Sequence, residues 1–292
     1  MDNKNLNKIN KLDIEDILKN AIKEDLGAYG DITSKYIFGQ DDFTESYIIC
    51  KEKEGAILCG VDVAEFIFEE IDPEVKFIKL KNDGDHLNAK DRICEIKGRT
   101  LSILKSERVC LNFIQHLSGI ATITGKFTDI ASKYGVRITE TRKTLPNLRI
   151  LEKYAVRCGG GVNHRFGLFD GILIKDNHLA AAGGVSKAFG LLKNKIPHTL
   201  KIEVEVKNQN ELIEAIESKA DIIMLDNMSF KEMTESVKMI REKLGDRCKI
   251  EASGNVRLNT LEEICKTGVD LISSGAITNS AKAIDFSLEF RD

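Results

Sequence analysis

Between residues 136 and 275, six short apolar runs recur: VRIT (136–139), GILIK (171–175), KIEVEV (201–206), DIIML (221–225), KIEAS (249–253) and DLISSG (270–275). Helical spacing of apolar residues fills the gaps at Leu148–Arg157, Val185–Leu192, Gln209–Ser218, Lys231–Leu244 and Leu258–Lys266. Strand and helix alternating every roughly 20–30 residues specify a parallel sheet with crossover helices, because parallel neighbours cannot be joined by a tight turn. This is the texture of a (β/α) barrel. Six strands are fewer than the eight of a closed barrel, so the expected α/β fold is a (β/α) barrel, closed or incomplete.

The chain before this pattern reads differently. A helix is expected over Leu12–Leu26, with Gly27 as its cap. From Phe43 to Gly98, short apolar runs separated by charged turns predict antiparallel strands interrupted by one helix, Val63–Ile71. A long helix over Leu101–Leu117 follows, and Arg108 breaks its apolar face. The alternating tail IDFSLEF (284–290) suits a strand returning to this first module. The expected division is an N-terminal α+β sandwich module, 1–115 with 279–292, and a barrel domain, 116–278.

In parallel barrels, chemistry gathers at the C-terminal strand ends. Those ends here carry Glu140–Thr141–Arg142–Lys143, Lys175–Asp176–Asn177, Glu203 with Glu205, Asp226–Asn227, Ser253–Gly254–Asn255 and Ser274–Gly275–Ala276. The last two turns suit a phosphate cradle of backbone N–H groups, since glycine lets the backbone approach an oxyanion. Glu205 and Asp226 suit a Mg²⁺ that bridges phosphate oxygens. The run from Glu140 to His178 holds seven cations against four anions, a local surplus of three in a chain of net charge −3. Fixed cations beside three consecutive glycines (159–161) point to small polyanionic ligands. Plainer readings stand beside these. Glu203 and Glu205 also suit a solvated strand end, Lys175 a strand-end charge, His178 a helix cap, and Arg149, Lys153 and Arg157 the wet face of a helix. His86 and His198 are assigned to the surface.

Bulk properties narrow the class. Net charge −3 argues against broad nucleic-acid binding, which needs a basic face. Seven scattered cysteines without a CxxC pair read as reduced thiols of a cytoplasmic protein rather than disulfides or a zinc site. The polar N-terminus lacks a signal sequence, and no apolar stretch approaches the ~20 residues of a membrane span.

The motifs TRKT (141–144), GGGVNHR (159–165), IKDNH (174–178), EVEV (203–206), MLDN (224–227), EASGN (251–255) and ISSGAIT (272–278) occur in that order. EDLGAYGDITS (24–34) and SERVCLNFIQHLSGIAT (106–122) precede them. Together they resemble the quinolinate phosphoribosyltransferases, the decarboxylating nicotinate-nucleotide pyrophosphorylases, over about residues 12–290. The resemblance implies an N-terminal sandwich, an open barrel and homodimers whose sites borrow from the neighbouring subunit. It implies synthesis of nicotinate mononucleotide, pyrophosphate and CO₂ from quinolinate and phosphoribosyl pyrophosphate with Mg²⁺, as a step of NAD biosynthesis. Carried over by motif, Arg108 is the arginine delivered across the dimer interface. Arg142, His164, Arg165 and Lys175 surround the quinolinate carboxylates. Lys143, Glu205, Asp226, Ser253 and Gly275 face the donor and metal. Thr141, Gly254, Asn255, Ser274 and Ala276 belong to the same binding segments. One departure is Asn147, where the family has glycine before Leu148–Arg149; asparagine tolerates unusual backbone angles, so the loop is expected to survive. Rival readings are a transferase acting on another heterocyclic acid, a Schiff-base aldolase using Lys175, and a non-catalytic sensor of phosphate ligands.

Overall fold

The computed structural model describes residues 8–192 and 195–291. By compactness the chain divides into two units. The first is the chain through Gly125, Thr144–Gly160 and the segment from Ile277 onward; the second is Lys126–Lys143 with Gly161–Ala276. These boundaries differ from those expected, chiefly because residues 144–160 join the first unit. Their helix bonds there through buried side chains: Glu152 Oε1 lies 3.0 Å from His116 Nε2, and the Tyr154 hydroxyl donates to Asp83 at 2.8 Å.

In the first unit, α1 (Lys11–Leu26) starts where the Asn10 side chain accepts the Leu12 N–H, and it buries Ile14 and Leu18. The short α2 (Ile32–Ile37), capped by Asp31, was not anticipated. An antiparallel sheet follows, ordered β12 (Phe286–Phe290), β1 (Phe43–Cys50), β5 (Arg92–Arg99), β3 (Lys76–Lys79). Alternating burial along β1 and β5 turns Ile48, Cys50, Cys94 and Ile96 inward. The tail strand pairs with β1, as its alternation implied. Helix α3 (Val61–Ile71) buries five residues, and β2 (Ala56–Ile57) pairs with β4 (His86–Leu87).

Helix α4 (Thr100–Ala131) outruns the expected Leu101–Leu117 by fourteen residues at its C-terminal end, and the division between units falls within it. Glycines 119 and 125 lie within it as close-approach positions: a Cβ at Gly119 would overlap the Lys282 carbonyl, and one at Gly125 the Ile57 side chain. Helix α5 (Arg149–Cys158) begins after Asn147, which takes the left-handed φ of 65°.

The second unit is a six-stranded parallel sheet ordered β6 (Arg137–Thr139), β11 (Leu271–Ser273), β10 (Lys249–Ser253), β9 (Ile222–Asp226), β8 (Ile202–Val206), β7 (Ile172–Ile174). The intervening helices are α6 (Asp176–Ala182), α7 (Val185–Leu192), α8 (Gln209–Glu217), α9 (Phe230–Leu244) and α10 (Leu258–Lys266), with α11 (Ala276–Asn279) after the last strand. The sheet is open, as an incomplete barrel requires. Helix α6 was missed. It starts at Lys175, whose N–H is capped by His178 Nδ1 at 2.9 Å, so that histidine takes its plainer reading. All seven cysteines are free thiols.

Candidate active site

Register decides which strand residues can meet. In the parallel sheet Glu203 pairs with Ile222, Glu205 with Met224, Met224 with Glu251, and Asp226 with Ser253. In-register residues point the same way and side chains repeat every two residues. Glu203, Glu205, Asp226, Glu251 and Ser253 therefore share one face, with Glu205, Asp226 and Ser253 toward the C-terminal strand ends and Glu203 and Glu251 deeper in the sheet.

At these ends the side chains form two linked groups. In the first, Lys175 Nζ lies 3.6 Å from Glu205 Oε2, and Lys207 Nζ approaches Glu205 Oε1 at 4.0 Å and Asp176 Oδ2 at 2.6 Å. Burial, and then the neighbouring Asp226 charge, push the Glu205 carboxyl up from its ordinary value. Asp226 accepts Asn227 Nδ2 at 2.9 Å. A buried carboxylate destabilised by a second one is a donor pair that a divalent cation would relieve, so these residues fit Mg²⁺.

The second group surrounds His164, which follows the glycine run. Its Nε2 is 3.2 Å from Glu203 Oε2 and 3.7 Å from Glu251 Oε1, and its Nδ1 accepts the Arg165 N–H at 2.7 Å. Burial opposes charge on the ring, but Glu203, Glu251 and Glu140 outweigh it and raise the pull for a second proton. That proton would have to go to Nδ1, which the Arg165 N–H occupies. Burial, and then Glu203, push Glu251 up to about 7. Arg165 Nη1 donates to the Gly171 carbonyl at 2.8 Å, and its charge is disfavoured by burial and by nearby Arg142.

The turns complete the site. Gly275 lies against Lys143 and Thr141, and Thr141 Oγ1 accepts the Lys143 N–H at 3.1 Å. Ser274 N–H bonds to the Thr139 carbonyl at 3.0 Å, and Ser274 Oγ accepts the Ala276 N–H at 3.3 Å. Gly254, at φ 89°, sits over the Asn227 amide, which also accepts Asn255 Nδ2 at 3.0 Å.

The strand ends thus bring together Thr141, Arg142, Lys143, His164, Arg165, Lys175, Glu205, Asp226, Ser253, Gly254, Asn255, Ser274, Gly275 and Ala276. Arg108 lies on α4 in the first unit, with its side chain 59% exposed. Sequence reasoning missed Lys207, Asn163 and Glu251 as parts of the site, and it placed Glu140 at its strand end without giving it a role. Lys207 was legible as a cation two residues beyond Glu205; the buried carboxylates gave no signal beyond being charged in apolar strands. Lys175 keeps 46% of its side chain exposed beside Glu205, not the dry setting that a Schiff-base lysine requires.

Comparison with known proteins adds to this geometry. The family model "Quinolinate phosphoribosyl transferase, C-terminal domain" matches residues 120–289, and its N-terminal counterpart matches residues 31–118. A probable nicotinate-nucleotide pyrophosphorylase (carboxylating) of Bacillus subtilis (strain 168) is 41% identical over 281 residues, covering 96% of this chain and 94% of that protein. The protein with the same description from Methanocaldococcus jannaschii is 45% identical over 278 residues, covering 94% and 95%. Among solved structures, NadC from Streptococcus pyogenes superposes with a TM-score of 0.91 at 40% identity, covering 98% of this chain and 99% of that one. The nicotinate-nucleotide pyrophosphorylase from Francisella tularensis gives 0.90 at 44%, with coverage of 98% and 99%.

Proposed function

The chain belongs to the quinolinate phosphoribosyltransferase family, and from that premise we propose that it transfers the phosphoribosyl group of phosphoribosyl pyrophosphate to quinolinate with decarboxylation. The products are nicotinate mononucleotide, pyrophosphate and CO₂, a pentosyl transfer in NAD biosynthesis. The observation that carries this reading is the convergence of Arg142, Arg165 and Lys175 with the acidic pair Glu205 and Asp226 on one sheet end.

The site residues act by position and fixed charge. Arg142, Arg165 and Lys175 hold the two quinolinate carboxylates and aim the pyridine nitrogen at the ribose, with His164 set beside them. Lys143 neutralises the departing pyrophosphate, and the amides around Gly254 and Gly275 cradle its phosphates. Ser253, Asn255, Thr141, Ser274 and Ala276 line the same segments. Glu205 and Asp226 would hold Mg²⁺, which supplies charge neutralisation of the donor when bound. As the C–O bond to pyrophosphate breaks, the ribose carbon gains oxocarbenium character and the ring nitrogen bonds to it. The resulting pyridinium withdraws electrons from C2, so the C2–carboxylate bond breaks, CO₂ leaves and C2 takes a proton. No protein nucleophile is needed. The enzyme works as a cytosolic homodimer, with Arg108 reaching the neighbouring subunit's site. Among the described residues, no helix is long and apolar enough to cross a membrane.

The test is turnover. Purified protein mixed with quinolinate, phosphoribosyl pyrophosphate and Mg²⁺ releases CO₂ and forms nicotinate mononucleotide, and a chelator stops it. Conversion of nicotinate but not quinolinate would assign another substrate. An unchanged rate in chelator would remove Mg²⁺ from the reading.

A further inference from the structure

Both nitrogens of His164 are engaged. Because Nδ1 accepts the Arg165 N–H at 2.7 Å, the ring proton sits on Nε2, which faces Glu203 Oε2 at 3.2 Å. The same arrangement argues against a metal among His164, Glu203 and Glu251, although their ligand atoms lie within 4.8 Å of one another. A metal on Nε2 would leave the imidazole with no proton on either nitrogen. Glu140, buried just beyond the end of β6, holds this segment from its other side. Its Oε1 accepts the His164 N–H at 3.1 Å and its Oε2 accepts Asn163 Nδ2 at 3.0 Å. A hydrogen-bonded chain therefore runs from a buried carboxylate on β8, through the imidazole, to the Arg165 backbone. Glu203 is 5% exposed, and its other oxygen has no hydrogen-bond partner among the described residues. Burying such a group is costly, so a role only in packing would be better filled by an apolar side chain.

We propose that Glu203 is a positioning residue: by fixing the His164 ring it sets the place of Arg165, and with it the recognition of the quinolinate carboxylates. This rests on the assignment of Arg165 to that substrate. Glu203→Gln keeps a carbonyl acceptor for the Nε2 proton, and Glu203→Leu removes it. We expect the Leu variant to raise the KM for quinolinate about tenfold or more while the donor KM stays within about twofold. The Gln variant should return the quinolinate KM to within about threefold of the wild type. An unchanged quinolinate KM in the Leu variant, equal rises for both substrates, or a Gln variant no better than Leu would each overturn the proposal. A second measurement needs neither variant nor turnover. The ¹⁵N shifts of His164 in the wild-type protein at about pH 8 should be pyridine-type for Nδ1 and pyrrole-type for Nε2. The opposite tautomer or a doubly protonated ring would refute the chain. Failure of wild-type turnover would refute the substrate assignment and leave the ring result standing.

Discussion

Replacing Gly254 with alanine tests whether the turn after β10 holds the donor. Gly254 takes φ 89°, and a Cβ there would overlap the Asn227 amide. Two costs follow. An L-residue in this left-handed region costs about 1–2 kcal/mol. Moving the Asn227 side chain also breaks its bonds to Asp226 (2.9 Å) and Asn255 (3.0 Å). Asn227 and Asn255 are exposed, so each bond contributes only about 0.5 kcal/mol, the bottom of the usual range. The total is about 2–3 kcal/mol; an alanine turn that relaxes to avoid it must regain this form to bind the donor, which at 1.4 kcal/mol per decade lowers kcat/KM for phosphoribosyl pyrophosphate by up to about 30- to 140-fold. Asn227 and Asn255 already sit at φ 54° and 51°, so the turn has no slack to absorb the change. Initial rates with quinolinate saturating and the donor varied read the loss directly. A change below about threefold would refute the reasoning, and so would an equal loss of quinolinate affinity.

Arg165→Ala should weaken quinolinate binding about 10- to 150-fold, the worth of one charged hydrogen bond, with little change for the donor; equal losses in calorimetric titrations of the two ligands would count against the assignment. Arg108→Ala and Lys175→Ala should each be inactive alone, yet mixing them should restore about a quarter of the wild-type rate, because half the dimers then carry one intact site. No recovery on mixing would argue that Arg108 does not act across subunits. Asp83 is half-buried in the first unit, and desolvation pushes its carboxyl up to about 6 despite hydrogen bonds from Val61, Tyr154 and Gly60. A carboxyl that holds its proton more tightly when folded favours the folded state at low pH, and that contribution is lost as pH rises through 6. Asp83→Asn, which keeps an acceptor for both N–H groups, should gain thermal stability over wild type between pH 4 and 7.5, by at most about 3 kcal/mol; a difference independent of pH would refute it.

Strand positions were legible because apolar period and turn residues coincide, and all six barrel strands lie where the alternation placed them. The cations and carboxylates at strand ends were equally visible, since a parallel sheet puts such residues in one place whatever their sequence separation. Helix α4 runs past the expected end at Leu117 and through Gly119, where glycine admits the Lys282 carbonyl at close range, a contact that nothing local in the sequence shows. Glu140, Glu203 and Glu251 were illegible as a set for a similar reason. Their common partner, His164, is brought to them only by the fold. Asp83 gave no signal at all: its partners, Gly60, Val61 and Tyr154, lie 22 or more positions away.

The pairing of β12 with β1 joins Tyr47 to a residue 242 positions later. A ribosome therefore delivers most of the first unit long before the strand that completes its sheet. Until then the outer edge of β1 presents unpaired backbone groups, a template for pairing with the wrong strand.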